Sequence, residues 1–222
     1  MSPVPRPSTA EVISRVAHDL RGSLNAIAGW GGALEAAPLS PEDVQRAGAV
    51  VSRQAHAASR RLDLALDLWR LDLGLVDLTP AIVTARTMAF AAIGACADAR
   101  RQREVACEAI CADEAYLLVN GRRFVQALAL LVDEAIANAP AGGRVEVRVE
   151  PHPGEVRFQI VPAGGTAPRE RSWPFTRTLA AALLEAQQGR VETRDAGAFE
   201  VSMPCAPASA LADPAQMPRD DG

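Results

Sequence analysis

The chain has 222 residues, which suits one large domain or two small ones, and 49% of them are hydrophobic, enough for a packed core. The formal net charge of −4 argues against a nucleic-acid-binding surface. No segment is long and apolar enough to cross a membrane, and the first residues lack the hydrophobic stretch of a signal peptide. We therefore expect a cytoplasmic protein without a nucleic-acid or membrane partner.

The first predicted element is a long helix. Residues 1–7 are rich in proline and are expected to be disordered, whereas Ser8 and Glu11 fit the capping box that begins a helix. Within about 28 residues, roughly 40 Å of helix, apolar side chains recur every seven positions, as they do in helical bundles. This apolar stripe comprises Ile13, Leu20, Ile27 and Leu34, with Val16, Leu24 and Trp30 beside them.

A second helix follows a short loop. Ser40 is a typical N-cap, and Pro41 suits the first helical position. The sevenfold spacing returns at Val44, Val51, Ala58 and Ala65, with Leu62 and Trp69 alongside. Residues 8–76 therefore predict an antiparallel helical hairpin. Because one hairpin cannot bury a two-sided apolar seam, we expect a homodimer that forms a four-helix bundle.

The second half of the chain changes in composition after Gly74. Helices are predicted over 79–103, 121–139 and 175–187, with Asn120 capping the second of them. Alternating residues predict strands at 105–110, 144–150 and 155–161 and a final strand pair within 190–203. Residues 77–204 thus predict an α/β sandwich with a mostly antiparallel sheet, and 205–222 a disordered tail. The fold class is α+β.

The segment His18-Asp19-Leu20-Arg21-Gly22-Ser23-Leu24 resembles the H-box of two-component histidine kinases. In that family the histidine accepts a phosphoryl group, so the resemblance implies that His18 is the acceptor. His18 lies beside the apolar stripe and is expected to reach solvent. The carboxylate of Asp19 could orient or deprotonate the imidazole, and Arg21, one turn later, could attract phosphate oxygens.

Residues 126–143 resemble the nucleotide-binding motif of the same kinases, but the polar positions are changed. In the family one asparagine holds Mg²⁺, a lysine meets phosphate, an aspartate reads adenine, and a glycine-rich lid covers the triphosphate. The corresponding positions here hold Glu134, Ala137, the segment Pro162–Thr166 and the segment Ser172–Arg177. We therefore expect neither tight ATP binding nor a metal site. Glu134 is predicted to be a surface or rim carboxylate, although its oxygens could in principle hold Mg²⁺.

A kinase-shaped dimer with an acceptor histidine and a degenerate ATP site resembles the histidine phosphotransferases of phosphorelays. The resemblance implies that His18 passes a phosphoryl group between aspartates of response-regulator receiver domains, with Mg²⁺ supplied by the receiver. Two alternatives remain open: a non-catalytic pseudokinase that binds a receiver or a kinase, and a divergent kinase that uses ATP through Glu134. His56 and His152 lack an H-box context; His56 is predicted to be a surface or seam-edge residue and His152 a solvated turn residue.

Overall fold

The computed structural model describes residues 9–36, 40–163, 174–194 and 197–211. The chain divides into two compact units between Val76 and Asp77, where the sequence changes in composition. We call them the hairpin unit and the sheet unit.

The hairpin unit consists of α1 (Thr9–Ala36) and α2 (Pro41–Asp72). The Ser40 hydroxyl accepts a hydrogen bond from the Asp43 backbone N–H at 3.1 Å, which caps α2 as predicted. Beyond its end, Gly74 has a φ of +68°, a left-handed conformation that glycine adopts without strain. Both long helices are confirmed, whereas the predicted cap Ser8 lies outside the described residues.

Small and branched side chains pack between the two helices. The buried ones are Val12, Val16, Ser23, Ala47, Ala65 and Leu68. The Arg61 guanidinium donates to the Ser23 hydroxyl at 3.2 Å and joins the helices. The predicted apolar stripe lies largely on a different face, because Ile13 is 46% exposed and Leu24 is 59% exposed. Much of the stripe is therefore uncovered within one chain.

The sheet unit holds the remaining elements: β1 (Ala81–Thr84), α3 (Ala85–Ala95), α4 (Ala97–Arg103), β2 (Ala106–Cys111), β3 (Tyr116–Val119), α5 (Gly121–Asn138), β4 (Arg144–His152), β5 (Glu155–Ala163), α6 (Pro174–Glu185), β6 (Arg190–Thr193), β7 (Phe199–Pro204) and α7 (Ala208–Leu211). Five strands form a sheet in the order β2-β4-β5-β7-β6, parallel only between β2 and β4. Strands β1 and β3 form a separate antiparallel pair. The predicted α+β class is confirmed.

The core of the sheet unit lies between α5 and the central strands. Asn120 accepts a hydrogen bond from the Arg123 backbone N–H and caps α5 as predicted. One face of α5 buries Phe124, whose ring meets that of Phe158 on β5 edge-on, with 5.3 Å between centroids. Alternate residues of β5 are buried, so the strict alternation read from the sequence corresponds to one face covered by helices.

The elements of this unit differ from the sequence expectations in three places. The predicted helix over 79–103 begins with β1, because the β-branched residues of this segment pair with β3, and Thr84 caps α3 instead of Thr79. Strand β3 was not predicted at all. The tail is ordered up to Leu211, since Cys205 bridges to Leu117 and α7 follows. Residues 212–222 lie outside the described part.

Candidate functional site

His18 lies in the middle of α1 with its side chain exposed, as the sequence predicted. Arg21 is also exposed, one turn further along the helix. Gly22 follows, and among the described residues a Cβ there would meet no atom within 4 Å beyond its own turn of α1. The face of α1 around His18 is thus open to a partner that approaches from solvent.

Asp19 is half-buried and forms an ion pair with Arg15, with 3.6 Å between Asp19 Oδ2 and Arg15 Nε. Adjacent helical residues do not face each other, so this pair draws the carboxylate toward the preceding turn. By its position in the sequence, Arg15 lies one helical turn before His18, and Arg21 lies one turn after it. Sequence reasoning missed Arg15, although the four-residue spacing of arginine and aspartate was a readable signal.

The second candidate region lies on α5, where the kinase motif has its asparagine. Glu134 is only 2% exposed, and its carboxylate forms an ion pair with the guanidinium of Arg177 on α6. The same guanidinium lies over the Phe199 ring, 5.4 Å from its centroid. The expectation of a surface or rim carboxylate is wrong, because α6 covers Glu134 and supplies its counter-ion.

Other polar groups near Glu134 are enclosed as well. Glu134 Oε2 and both side-chain polar atoms of Asn138 are buried without a hydrogen-bond partner among the described residues. A Cβ added to Gly197, whose φ is +76°, would lie 3.1 Å from Asn138 Nδ2. The backbone of Gly197 therefore closes tightly over Asn138, which leaves little room beside this turn of α5.

Of the other positions that depart from the kinase motifs, the structure describes Ala137 and Pro162 but not the whole of the two altered segments. Ala137 on α5 is half-buried. Pro162 belongs to β5, beyond the residues that pair with β7, where its missing N–H interrupts no hydrogen bond to that strand. Residues 164–173 lie outside the described part, and so does the side chain of Pro174. The side chains of the segment Ser172–Arg177, where the kinases have their lid, are therefore described only from Phe175 onward.

In the described residues, the histidine, cysteine and acidic side chains form neither a metal site nor a disulfide. Among the described residues, no group of three or more histidine, cysteine, aspartate or glutamate side chains could hold a metal ion. All four cysteines are free, and burial raises the pKa of the Cys96 thiol to about 12. In the described part of the chain, no helix combines the length and apolar character needed to cross a membrane.

Comparison with known proteins rests on solved structures, since no family model and no curated protein matches this sequence. The Acinetobacter baumannii histidine kinase AdeS superposes with a TM-score of 0.69, covering 86% of this chain and 98% of that chain at 18% identity. The fold is that of histidine kinases. The hairpin unit corresponds to their helical hairpin and the sheet unit to their ATPase-type domain.

Two further histidine kinases are similar. ThkA, in complex with the response regulator TrrA, has a TM-score of 0.71 at 17% identity, and the match covers 89% of this chain and 62% of that one. Full-length ShkA in complex with AMPPNP has a TM-score of 0.56 at 19% identity, covering 90% of this chain and 46% of that one. This chain therefore spans about half to two thirds of the length of these two kinases.

Proposed function

We propose that this protein is a dimeric histidine phosphotransferase of a phosphorelay, in which His18 carries the phosphoryl group without the use of ATP. The observation that carries the proposal is a contrast between two sites. The acceptor histidine is exposed on α1, whereas the position that would hold the nucleotide's metal is a buried ion pair, Glu134–Arg177.

Phosphoryl transfer through His18 requires an unprotonated imidazole nitrogen and positive charge near the phosphoryl group. The nitrogen attacks the phosphorus of a receiver's aspartyl phosphate, the P–O bond to the aspartate breaks as the N–P bond forms, and the carboxylate leaves. The reverse step passes the group to a second receiver. Arg21 attracts the phosphate oxygens, and Asp19 would orient the imidazole once its carboxylate leaves Arg15 and turns toward His18.

Receiver domains are the partners that this chemistry requires, because they supply both the aspartyl phosphate and its Mg²⁺. One similar structure supports the choice, since ThkA forms a complex with a response regulator. Gly22, one turn after His18, presents no side chain to such a domain.

Dimerisation is supported by the apolar side chains that the hairpin leaves uncovered. Those most exposed on the two helices are Ile13, Leu24, Leu34, Val44, Leu62 and Trp69. They follow the sevenfold spacing of the sequence, and burying one side chain of this size stabilises by about 1.5–3 kcal/mol. A second hairpin would cover both stripes and complete a four-helix bundle.

The sheet unit does not fit a metal-bound triphosphate. In the kinases an uncharged asparagine at this position holds the Mg²⁺ of the nucleotide. Here Glu134 adds a negative charge that would repel the triphosphate, and its carboxylate already has Arg177 as its counter-ion. No lysine of this chain could meet the phosphates, since all its basic residues are arginines. The proposed reaction therefore uses no ATP.

Two measurements separate this proposal from its alternatives. Incubation with radiolabelled ATP and Mg²⁺ should leave the protein unlabelled, and calorimetry should give a dissociation constant above about 100 µM. Labelling of His18 by ATP would establish the divergent kinase instead. Incubation with a phosphorylated receiver should label the protein, whereas binding of the receiver without transfer would establish the pseudokinase.

A further inference from the structure

A second histidine, His56 on α2, has surroundings that the proposed function does not use. Its side chain is exposed, and its Nδ1 lies 2.7 Å from the backbone carbonyl oxygen of Ser52, one turn earlier. The Ser52 hydroxyl is a more distant neighbour at 3.4 Å from the same nitrogen.

This hydrogen bond decides which nitrogen of the ring is nucleophilic. A carbonyl oxygen can only accept, so Nδ1 must carry a proton. In the neutral ring the lone pair then lies on Nε2, which points away from the Ser52 carbonyl on the far side of the ring. His56 is thus held in the tautomer whose Nε2 can attack phosphorus, while Nδ1 keeps its proton in the hydrogen bond to Ser52.

Two arginines flank the ring on the same helix face. Arg53 lies three residues before His56 and Arg60 four residues after it, the spacings at which helical side chains are neighbours. Neither guanidinium forms an ion pair within the described residues. Both charges are therefore available to a phosphoryl group on Nε2.

This face stays accessible in the proposed dimer. Leu62 lies six positions after His56, so helical geometry places the two side chains about 120° apart around α2. Leu62 belongs to the exposed apolar stripe, and a partner hairpin that covers the stripe leaves His56 in solvent.

We propose that His56 is a second phosphoryl-acceptor site, modified at Nε2. Attack by Nε2 on a phosphoramidate donor forms the N–P bond to the ring, the donor's own P–N bond breaks and its nitrogen leaves as ammonia after taking a proton from water, and the Nδ1 proton stays on the ring. Arg53 and Arg60 pair with the phosphoryl oxygens of the product. The proposal does not rest on the role assigned to His18.

The test uses phosphoramidate, a small donor that needs no receiver and whose leaving group departs as ammonia after taking up a proton from water. In His18→Ala, peptide mass spectrometry should find phosphohistidine at His56. Nitrogen-15 NMR should show His56 protonated at Nδ1 before the reaction and phosphorylated at Nε2 after it.

Arginine variants in the His18→Ala background test the flanking charges. Replacing Arg53 and Arg60 together with glutamine should slow modification of His56 by about threefold to tenfold. Arg46→Gln, on the same helix but paired with Asp43, should leave the rate unchanged. The proposal is overturned if His56 stays unmodified, if it reacts at Nδ1, or if replacing both arginines leaves its rate unchanged. A failure of His18 to accept phosphate from a receiver would not affect these outcomes.

Discussion

Removal of the Arg177 guanidinium should destabilise the sheet unit strongly. In Arg177→Leu the Glu134 carboxylate, whose side chain is fully enclosed, loses its counter-ion. Breaking a buried ion pair by removing one partner costs about 3–5 kcal/mol. The Arg177 side chain is 39% exposed, so water can approach the site, and we lower the expectation to about 2–3 kcal/mol. For a unit of this size that is a fall in Tm of about 6–10 °C.

Urea unfolding and hydrogen exchange of α5 and α6 measure this effect locally, which matters because the chain has two units. A suitable control is Arg194→Leu, which breaks partly exposed pairs with Glu192 and Glu200 and should cost about 1 kcal/mol. The double variant Glu134→Leu/Arg177→Leu should recover part of the loss, since no buried charge remains unpaired.

The reasoning is refuted if Arg177→Leu destabilises the protein no more than Arg194→Leu does. It is also refuted if the double variant is less stable than Arg177→Leu alone. Either result would mean that the Glu134 carboxylate is solvated in the protein, and the nucleotide site would again have room for a metal ion.

Three further outcomes are expected. Leu24→Asp should give a folded monomer in light scattering at micromolar concentration, whereas Asn25→Asp should remain a dimer; a dimeric Leu24→Asp would contradict the assigned interface. Because burial raises the pKa of Cys96 to about 12, only about one in ten thousand of these thiols is ionised at pH 8. Its alkylation should therefore lag far behind that of half-buried Cys205 and rise about tenfold per pH unit; equal rates would contradict its burial. Asn120→Ala should cost the sheet unit about 1 kcal/mol in urea unfolding through loss of the α5 cap, and no change would refute that contribution.

The sequence predicted those parts of the fold whose signals are local. Both long helices follow from sevenfold spacing and the Ser40 cap, and β4 and β5 follow from strict alternation. The start of the sheet unit was misread because Thr79–Pro80 is a good local signal for a helix. The strand that forms there depends on pairing with β3, more than thirty residues later, which no local pattern reveals.

The same distinction between local and distant signals applies to the candidate sites. The exposure of His18 followed from its position beside the apolar stripe and is confirmed. The burial of Glu134 could not be read from α5 alone, because its counter-ion Arg177 lies 43 residues away on another helix. Arg15 could have been found, since its pairing with Asp19 uses the ordinary four-residue spacing of a helix.

Mapping the labelled residue after reaction with a phosphorylated receiver tests the central claim most directly. The wild-type protein, mixed with receiver domains that carry labelled aspartyl phosphate, should yield phosphohistidine at His18 and pass the label to an unlabelled receiver. His18→Ala should lose this transfer and remain a dimer, while Arg21→Gln should slow it by about threefold to tenfold. Undiminished transfer between receivers by His18→Ala would contradict the account.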